Sequence, residues 1–181
     1  MNPFVIHRIS VDDWKEFRTL RLDALRTDPL AFGSTVERES AYTDDRWREW
    51  TRRGAEGERE ATFIATGGTD GLVGMTGVFT VDRECHLWGM WVHPRQRGRG
   101  IGGRLLDATL EWIDRAGPES RVVLDVNPDQ ARAVALYRSR GFQFTEKETA
   151  LGHDAPAIVR QMVRRGPSPS PRGRPTGFDG G

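Results

Sequence analysis

A segment rich in glycine and arginine, His93–Leu106, contains the residue types best suited to chemistry in this sequence. It follows an apolar run, Leu87–Val92, that predicts a buried strand, and it leads into helical spacing of apolar residues from Ile101 to Trp112. A glycine-rich loop between a strand and a helix N-terminus presents free backbone N–H groups and the positive end of the helix dipole to an anion. The arginines favour a ligand with several phosphates. The segment therefore predicts a phosphate-binding loop; the alternative is a solvated basic loop that only caps the helix.

The same loop matches Gly-x-Gly-x-x-Gly at Gly98, Gly100 and Gly103, and Asp125 follows about twenty residues later, as in dinucleotide-binding proteins. In those proteins the glycines come almost directly after the strand, whereas here the segment 93–97 intervenes. Only one further strand–helix unit follows, which is too few for a doubly wound sheet. These features disfavour a dinucleotide-binding fold.

Composition limits the classes to which the protein can belong. The chain has 181 residues and a formal net charge of +1, which predicts one domain and no general affinity for nucleic acid. Cys85 is the only cysteine, so no intrachain disulfide is expected and a reducing compartment is favoured, although a cysteine-poor secreted protein would look similar. No apolar run approaches the roughly 18 residues of a membrane span, and no signal-peptide pattern is present. We expect a soluble, cytoplasmic protein.

The remaining pattern alternates strands and helices and predicts a mixed α/β fold of the α+β type. Three successive strands predict an antiparallel meander, and a crossover helix should make the next strand parallel. Ser10–Asp13 has the pattern of a helix capping box. Gly166–Gly181 is mainly Pro, Ser, Gly and Arg and predicts a disordered tail beyond a domain of residues 1–165. About seven strands are expected, at 4–9, 61–66, 72–79, 85–92, 121–126, 142–145 and 157–162, and about four helices, at 11–28, 43–53, 101–116 and 129–140.

Two separate motifs resemble those of one protein family. Arg95, Gly98 and Gly100 match Gln/Arg-x-x-Gly-x-Gly/Ala, and the segment 133–142 matches Ala-x-x-Leu-Tyr-x-x-x-Gly-Phe. The first motif resembles the acetyl-CoA-binding signature of the GNAT superfamily of N-acetyltransferases, and the second resembles a further motif of that family. The order of elements from about residue 4 to 163 also fits the family. The resemblance implies the GNAT fold, acetyl-CoA as co-substrate, and transfer of an acetyl group to an amine. The four histidines show no ligand spacing, so no metal ion is expected.

The resemblance also implies which residues bind the cofactor. Backbone amides of the loop would hold the pyrophosphate of CoA, and the end of the preceding strand would pair with the pantetheine arm. Gln130 stands where many members of the family have asparagine, so Asn127 is a second candidate for that contact; the alternative for both is helix capping. The implied cofactor-binding residues are Trp91, Val92, Arg97, Gly98, Arg99, Gly100, Ile101, Gly102, Asn127, Gln130 and Tyr137.

Tyr137 takes the position of the tyrosine that protonates the departing thiolate in many members of the family. A phenol is a suitable acid when an amine attacks a thioester directly. Glu84, at the start of the strand before the loop, is the candidate base, and His86 is a weaker one; the alternative is that Glu84 is simply solvated. Cys85 has no activating partner in the sequence and is expected to pack against other side chains rather than to react.

The segment between the first two helices would contact the substrate in this family. Phe32, Ser34 and Glu37, together with Glu39, would suit a cationic amine, unless the two glutamates merely face water on a short helix. The candidate acceptors are a small amine or amino acid derivative, a protein N-terminus or lysine, and an aminoglycoside-like antibiotic. A homodimer is left open, and neither nucleic acid nor a membrane is expected as a partner. The alternative function is a CoA-binding sensor or interaction module without catalysis.

Overall fold

The computed structural model describes residues 4–117, 121–150 and 158–165. It has the predicted seven strands, and it contains a short helix, α2, in addition to the four helices that the sequence predicts. The predicted tail lies outside the described residues. The strands are β1 Phe4–Arg8, β2 Glu60–Gly67, β3 Leu72–Val81, β4 Glu84–Val92, β5 Arg121–Val126, β6 Gln143–Ala150 and β7 Ile158–Arg165, and the helices are α1 Trp14–Thr27, α2 Val36–Ser40, α3 Asp44–Glu56, α4 Ile101–Ala116 and α5 Ala131–Arg138.

Local signals in the sequence explain where the first three helices begin. The predicted capping box precedes α1. The Ser10 backbone N–H donates to the Asp13 carboxylate at 2.8 Å, and the Ser10 hydroxyl accepts a hydrogen bond from the Asp12 backbone N–H. The hydroxyls of Thr35 and Thr43 accept from backbone N–H groups in the first turns of α2 and α3. Such caps satisfy N–H groups that have no partner within the helix. None of the helices described by the structure is long and apolar enough to cross a membrane.

The strands form one sheet in the order β1-β2-β3-β4-β5-β7-β6. The pairs β2–β3 and β3–β4 are antiparallel, which confirms the predicted meander. The pair β4–β5 is parallel, as the crossover through α4 predicts. The mixed, mostly antiparallel sheet that the sequence predicts is therefore confirmed.

The sheet opens in its middle, between β4 and β5. Their pairing joins Glu84–His86 to Arg121–Val123, and the two strands form no further pairs in the described part of the chain. Opposite Thr76, strand β4 carries two residues, Gly89 and Met90, and Gly89 has a φ of +66°. Such a bulge bends its strand and increases the local twist. The carboxyl-terminal halves of β4 and β5 therefore border an opening.

Helices cover both faces of the sheet. Leu105, Leu106 and Ile113 of α4 pack on one face with Val122 and other apolar residues of the strands, and Cys85 lies in this core, as predicted. Phe17 of α1 and Trp47 of α3 pack on the other face with Ile64, Met75 and Trp91. The rings of Phe17 and Trp47 meet edge to face with their centroids 6.2 Å apart. The two cores fix the positions of α1 and α4 on either side of the opening.

Candidate active site

The glycine-rich loop and the start of α4 line a cavity of about 830 Å³. Gly100 is the residue before the helix, with a φ of +80°, and in the described structure no side chain caps the helix and no acidic residue lies in its first turn. A Cβ atom built on Gly98 or Gly100 would meet no described atom within 4 Å, so the backbone there faces open space. The first N–H groups of the helix are thus available to an anion. We call this space the loop cavity; its other walls include Trp91, Val92, Met90, Ala31 and residues 129–133.

The arginines of the loop do not all point at that space. Arg97 donates from Nε to the Val92 carbonyl at 2.9 Å and from Nη2 to the Asp28 carboxylate at 2.5 Å. The indole Nε1 of Trp91 donates to the same Asp28 oxygen at 2.6 Å. Arg97 therefore ties the end of β4 to the end of α1. Arg99 donates to Gln96 at 2.8 Å, and it does not line the loop cavity.

A second cavity of about 450 Å³ adjoins the loop cavity. We call it the tyrosine cavity, since Tyr137 lines it. Both cavities have Ala31, Met90, Gln130 and Ala133 in their walls. A ligand anchored at the loop can therefore reach with its other end to the boundary between the two. The polar side chains of the tyrosine cavity come from distant segments and are those of Arg21, Thr76, Asp125, Asn127, Gln130, Tyr137 and Thr149.

The end of α5 fixes the position of Tyr137. The Phe142 N–H donates to the Tyr137 carbonyl at 3.1 Å, and the Gly141 N–H donates to the Arg138 carbonyl at 3.0 Å. With Gly141 at a φ of +85°, these two bonds form a Schellman motif, which explains why glycine occupies this position. The motif also places the ring of Phe142 against that of Tyr137, with centroids 5.9 Å apart. The sequence Leu-Tyr-x-x-x-Gly-Phe thus encodes both the helix end and the tyrosine's orientation.

The Tyr137 hydroxyl is held in its protonated form. Its side chain is buried, and burial raises the pKa of Tyr137 above the ordinary value of a tyrosine because the phenolate form is poorly solvated. Among the residues described by the structure, none accepts a hydrogen bond from this hydroxyl or donates one to it. The phenol therefore stays protonated at neutral pH and is available to a ligand in the tyrosine cavity.

Comparison with known proteins identifies the family. A sequence model of the acetyltransferase (GNAT) family matches residues 14–142. The chain belongs to the GNAT family. It is also 39% identical over 135 residues to the N-alpha-acetyltransferase RimI of Mycobacterium tuberculosis, an alignment that covers 65% of this chain and 80% of that protein. The resemblance of the two sequence motifs to this family is thereby confirmed.

Solved structures share the GNAT fold. A GNAT acetyltransferase of Streptococcus pneumoniae superposes with a TM-score of 0.76 at 21% identity, covering 90% of this chain and 98% of that one. A Salmonella typhimurium protein whose structure contains its cofactor acetyl-CoA gives a TM-score of 0.73 at 17% identity, covering 94% and 99%. At these identities the comparison concerns the fold, and it confirms the fold that the sequence predicts.

Most of the predicted cofactor residues of this GNAT domain lie together. The two strand residues, Arg97 and the glycine loop all line the loop cavity, whereas Arg99 is exposed beside it. Gln130 lines both cavities, and its side chain makes no capping bond to α5. The Asn127 side-chain oxygen accepts from the Asp129 N–H at 2.9 Å, and Asn127 lines only the tyrosine cavity. Gln130 is thus the better placed of the two to contact a ligand that spans both cavities.

The predicted base and substrate residues of the GNAT domain are dispersed. Glu84 lines neither cavity; its carboxylate forms an ion pair with Arg121 and lies 3.2 Å from the His86 Nε2 atom, at the end of β4 where β5 is still paired. Phe32 lines the tyrosine cavity, but Ser34 and Glu37 line neither. Glu37 is exposed, and hydrogen bonds from its own backbone N–H and the Thr35 hydroxyl lower its pKa.

Two polar residues of the tyrosine cavity were not predicted from the sequence. Asp125 is the only carboxylate among the described residues that line it, and Arg21 is the only cation. Arg21 lies between Phe17 and Leu25 on the buried face of α1, so a charged residue at an apolar position was an available signal. Glu39, expected to suit a cationic amine or to face water, is 2% exposed and paired with Arg21, so exposure to water is wrong for this residue. In the part of the chain that the structure describes, no group of His, Cys, Asp and Glu could hold a metal ion.

Proposed function

We propose that this protein transfers the acetyl group of acetyl-CoA to a primary amine by direct attack of the amine on the thioester. The observation that carries this proposal is the contact between the two cavities: the glycine loop with the open N-terminus of α4 lies at one end, and the protonated Tyr137 lines the cavity beyond the shared wall. Membership of the GNAT family supports the same activity. No covalent enzyme intermediate is required.

The loop cavity fits the phosphates of CoA. The N–H groups of Ile101, Gly102 and Gly103 begin a 16-residue helix and have open space before them at Gly98 and Gly100. Backbone donors at a helix start favour an anion without help from a side chain. Trp91 and Val92 would hold the pantetheine arm along β4, and a strand amide near them would donate to the acetyl carbonyl. When bound, acetyl-CoA supplies the acetyl group as a reactive thioester.

Two residues of the tyrosine cavity would handle protons. Tyr137 would donate its phenolic proton to the thiolate as it departs, since burial keeps the phenol neutral. Asp125 would hold the incoming ammonium and accept a proton from the amine, because it is the carboxylate that faces this space among the described residues. Glu84 is left out of this scheme, since its carboxylate is paired with Arg121 away from both cavities.

The proposed acceptors are α-amines, and these are the first amines to test. The Mycobacterium tuberculosis relative carries the name N-alpha-acetyltransferase, which supports a peptide N-terminus or an amino acid derivative over a lysine side chain or an aminoglycoside. A panel of these amines, added to the protein with acetyl-CoA, should contain at least one that accelerates release of free CoA thiol. If acetyl-CoA binds but no amine accelerates release, the alternative of a catalytically silent CoA-binding module is favoured instead.

A further inference from the structure

A buried ion pair lies beside the tyrosine cavity and joins α1 to α2. Arg21 donates from Nε and Nη2 to the two carboxylate oxygens of Glu39, at 2.8 and 2.7 Å. Arg21 is 6% exposed and Glu39 2%. Both oxygens of Glu39 are therefore occupied, and the charges of the two groups balance each other. The pair offers no negative charge to a cationic substrate.

One nitrogen of this pair is not used. Arg21 Nη1 is buried and has no acceptor among the described residues. It faces the bulge of β4, because a Cβ atom built on Gly89 would lie 3.6 Å from Nη1. Arg21 and Gly89 both line the tyrosine cavity. A residue with a side chain at position 89 would fill the space into which Nη1 points.

Aromatic rings hold the guanidinium in this orientation. The Arg21 Cζ atom lies 4.7 Å from the ring centre of Phe32, 5.7 Å from that of Trp50 and 5.8 Å from that of Trp88. Contacts with three aromatic rings and two hydrogen bonds to Glu39 leave the guanidinium group little freedom to rotate. Nη1 is thus a fixed donor. Burying an N–H group without an acceptor is unfavourable, and a hydrogen bond to a ligand oxygen would remove that cost.

We propose that Arg21 Nη1 donates a hydrogen bond to a carbonyl or carboxylate oxygen of the acceptor amine and thereby selects acceptors that carry such an oxygen. This inference rests on the proposed acetyltransferase function and specifies its substrate class. Asp125, in the same cavity, matches the ammonium group, so the two residues together match an amine with a nearby oxygen. A polyamine without such an oxygen leaves Nη1 unsatisfied and is a poor acceptor.

The test compares acceptors that differ in the oxygen-bearing group. Alaninamide and alanine have an oxygen beside the amine-bearing carbon, whereas isopropylamine replaces that group with a methyl. We expect kcat/KM for alaninamide to exceed that for isopropylamine by about tenfold or more, the usual size for a hydrogen bond to a charged group. Comparing this ratio between protein variants cancels the difference in basicity between the amines. Alanine distinguishes a carboxylate from a carbonyl preference.

Arg21→Lys keeps a charge beside Glu39 but removes the fork and with it Nη1. The ratio for this variant should fall about tenfold, to near that expected from amine basicity alone, while the Kd for acetyl-CoA stays within about twofold of wild type. The matched control is Arg164→Lys, since Arg164 also forms a bidentate pair, with both nitrogens 3.2 Å from Asp114, and lines neither cavity. The ratio of the control should equal that of wild type.

The outcomes separate the two proposals. If no amine accelerates CoA release from wild-type protein, the proposed function fails and this inference fails with it. If amines react but Arg21→Lys keeps the wild-type ratio, only the inference is overturned. Equal losses of rate for both amines would then indicate that the role of Arg21 is purely structural. If Arg21→Lys does not fold, the double variant Arg21→Met/Glu39→Met removes both charges while keeping apolar packing, and its ratio decides.

Discussion

The loop cavity and the tyrosine cavity are built in different ways. Half of the residues that line the loop cavity come from one segment, Trp91 to Gly103, whose glycines leave the N–H groups of α4 accessible. The tyrosine cavity is lined by side chains from α1, the segment after it, β4, β5 and α5. A site made of local backbone depends on a few glycines, whereas a site made of distant side chains can change its substrate through single substitutions. We therefore expect cofactor binding and acceptor chemistry to be separable by mutation.

The largest expected effect is on the loop cavity alone. Gly100→Val should abolish acetyl-CoA binding, because the φ of +80° is unfavourable for a β-branched residue and the new side chain would occupy the open space before α4. Bound ligand raises the melting temperature by mass action, so the measurement is the thermal shift with millimolar acetyl-CoA, which should disappear.

Gly68→Val is the matched control for Gly100→Val. Gly68 also has a positive φ, +51°, with no described atom within 4 Å of a built Cβ, and it lies in the turn between β2 and β3. This control should lose stability from backbone strain but keep the full thermal shift. A normal calorimetric Kd for Gly100→Val would mean that the phosphates bind elsewhere.

The next effect concerns the tyrosine cavity alone. Tyr137→Phe keeps the ring that packs on Phe142 but removes the phenolic proton, so kcat with the best amine should fall about 100-fold or more. The Kd for acetyl-CoA should hardly change, because the phosphate contacts belong to the loop. Tyr42→Phe, at the other tyrosine of the chain, is the control and should leave kcat unchanged. A kcat within about threefold of wild type would exclude Tyr137 as the acid.

The same contrast explains what the sequence could predict. The loop and the end of α5 depend on residues that are close in sequence: glycines before a helix, and Gly141 with Phe142 after Tyr137. Arg21 could not be assigned in this way, because its partner Glu39 is on another helix and Gly89 is on a strand further along the chain. Its one local signal was a charge on the apolar face of α1.

Glu84 illustrates a second limit. The sequence predicted its position at the start of a strand before the loop, and β4 does begin there. The pairing of β4 with β5 determines which part of β4 borders the opening, and Glu84 lies in the paired part, opposite Arg121. Asp125 is further along β5, past the paired residues, and lines the tyrosine cavity. The pairing register that separates these two carboxylates is a property of the sheet and cannot be obtained from either strand alone.

A smaller effect is expected for Asp125. Asp125→Asn keeps the shape of the side chain but removes the charge that would hold the ammonium and accept its proton, so kcat/KM for the amine should fall about 10- to 100-fold. The Kd for acetyl-CoA should not change. More of the amine is unprotonated at higher pH and needs no base. The difference in kcat/KM between wild type and Asp125→Asn should therefore become smaller as the pH rises. The control is Asp12→Asn, which changes an exposed carboxylate outside both cavities. If Asp125→Asn loses no more kcat/KM than this control, Asp125 has no part in the mechanism.

The smallest predicted effect is on stability and concerns the protonation of Tyr137. Burial raises the pKa of this phenol in the folded protein above the value of about 10 that it has when unfolded. The stability that the neutral phenol retains is therefore fully present below pH 10 and is lost as the pH rises through the range between the unfolded and folded pKa values. Each unit of pH in that range should cost about 1.4 kcal/mol of unfolding free energy relative to Tyr137→Phe, which has no proton to lose. Urea unfolding of both proteins at pH 8, 10 and 11 measures the difference, which should be constant from pH 8 to just below 10 and shift against wild type above it. A constant difference up to pH 11 would mean that the hydroxyl is solvated in the folded protein and that burial does not raise its pKa.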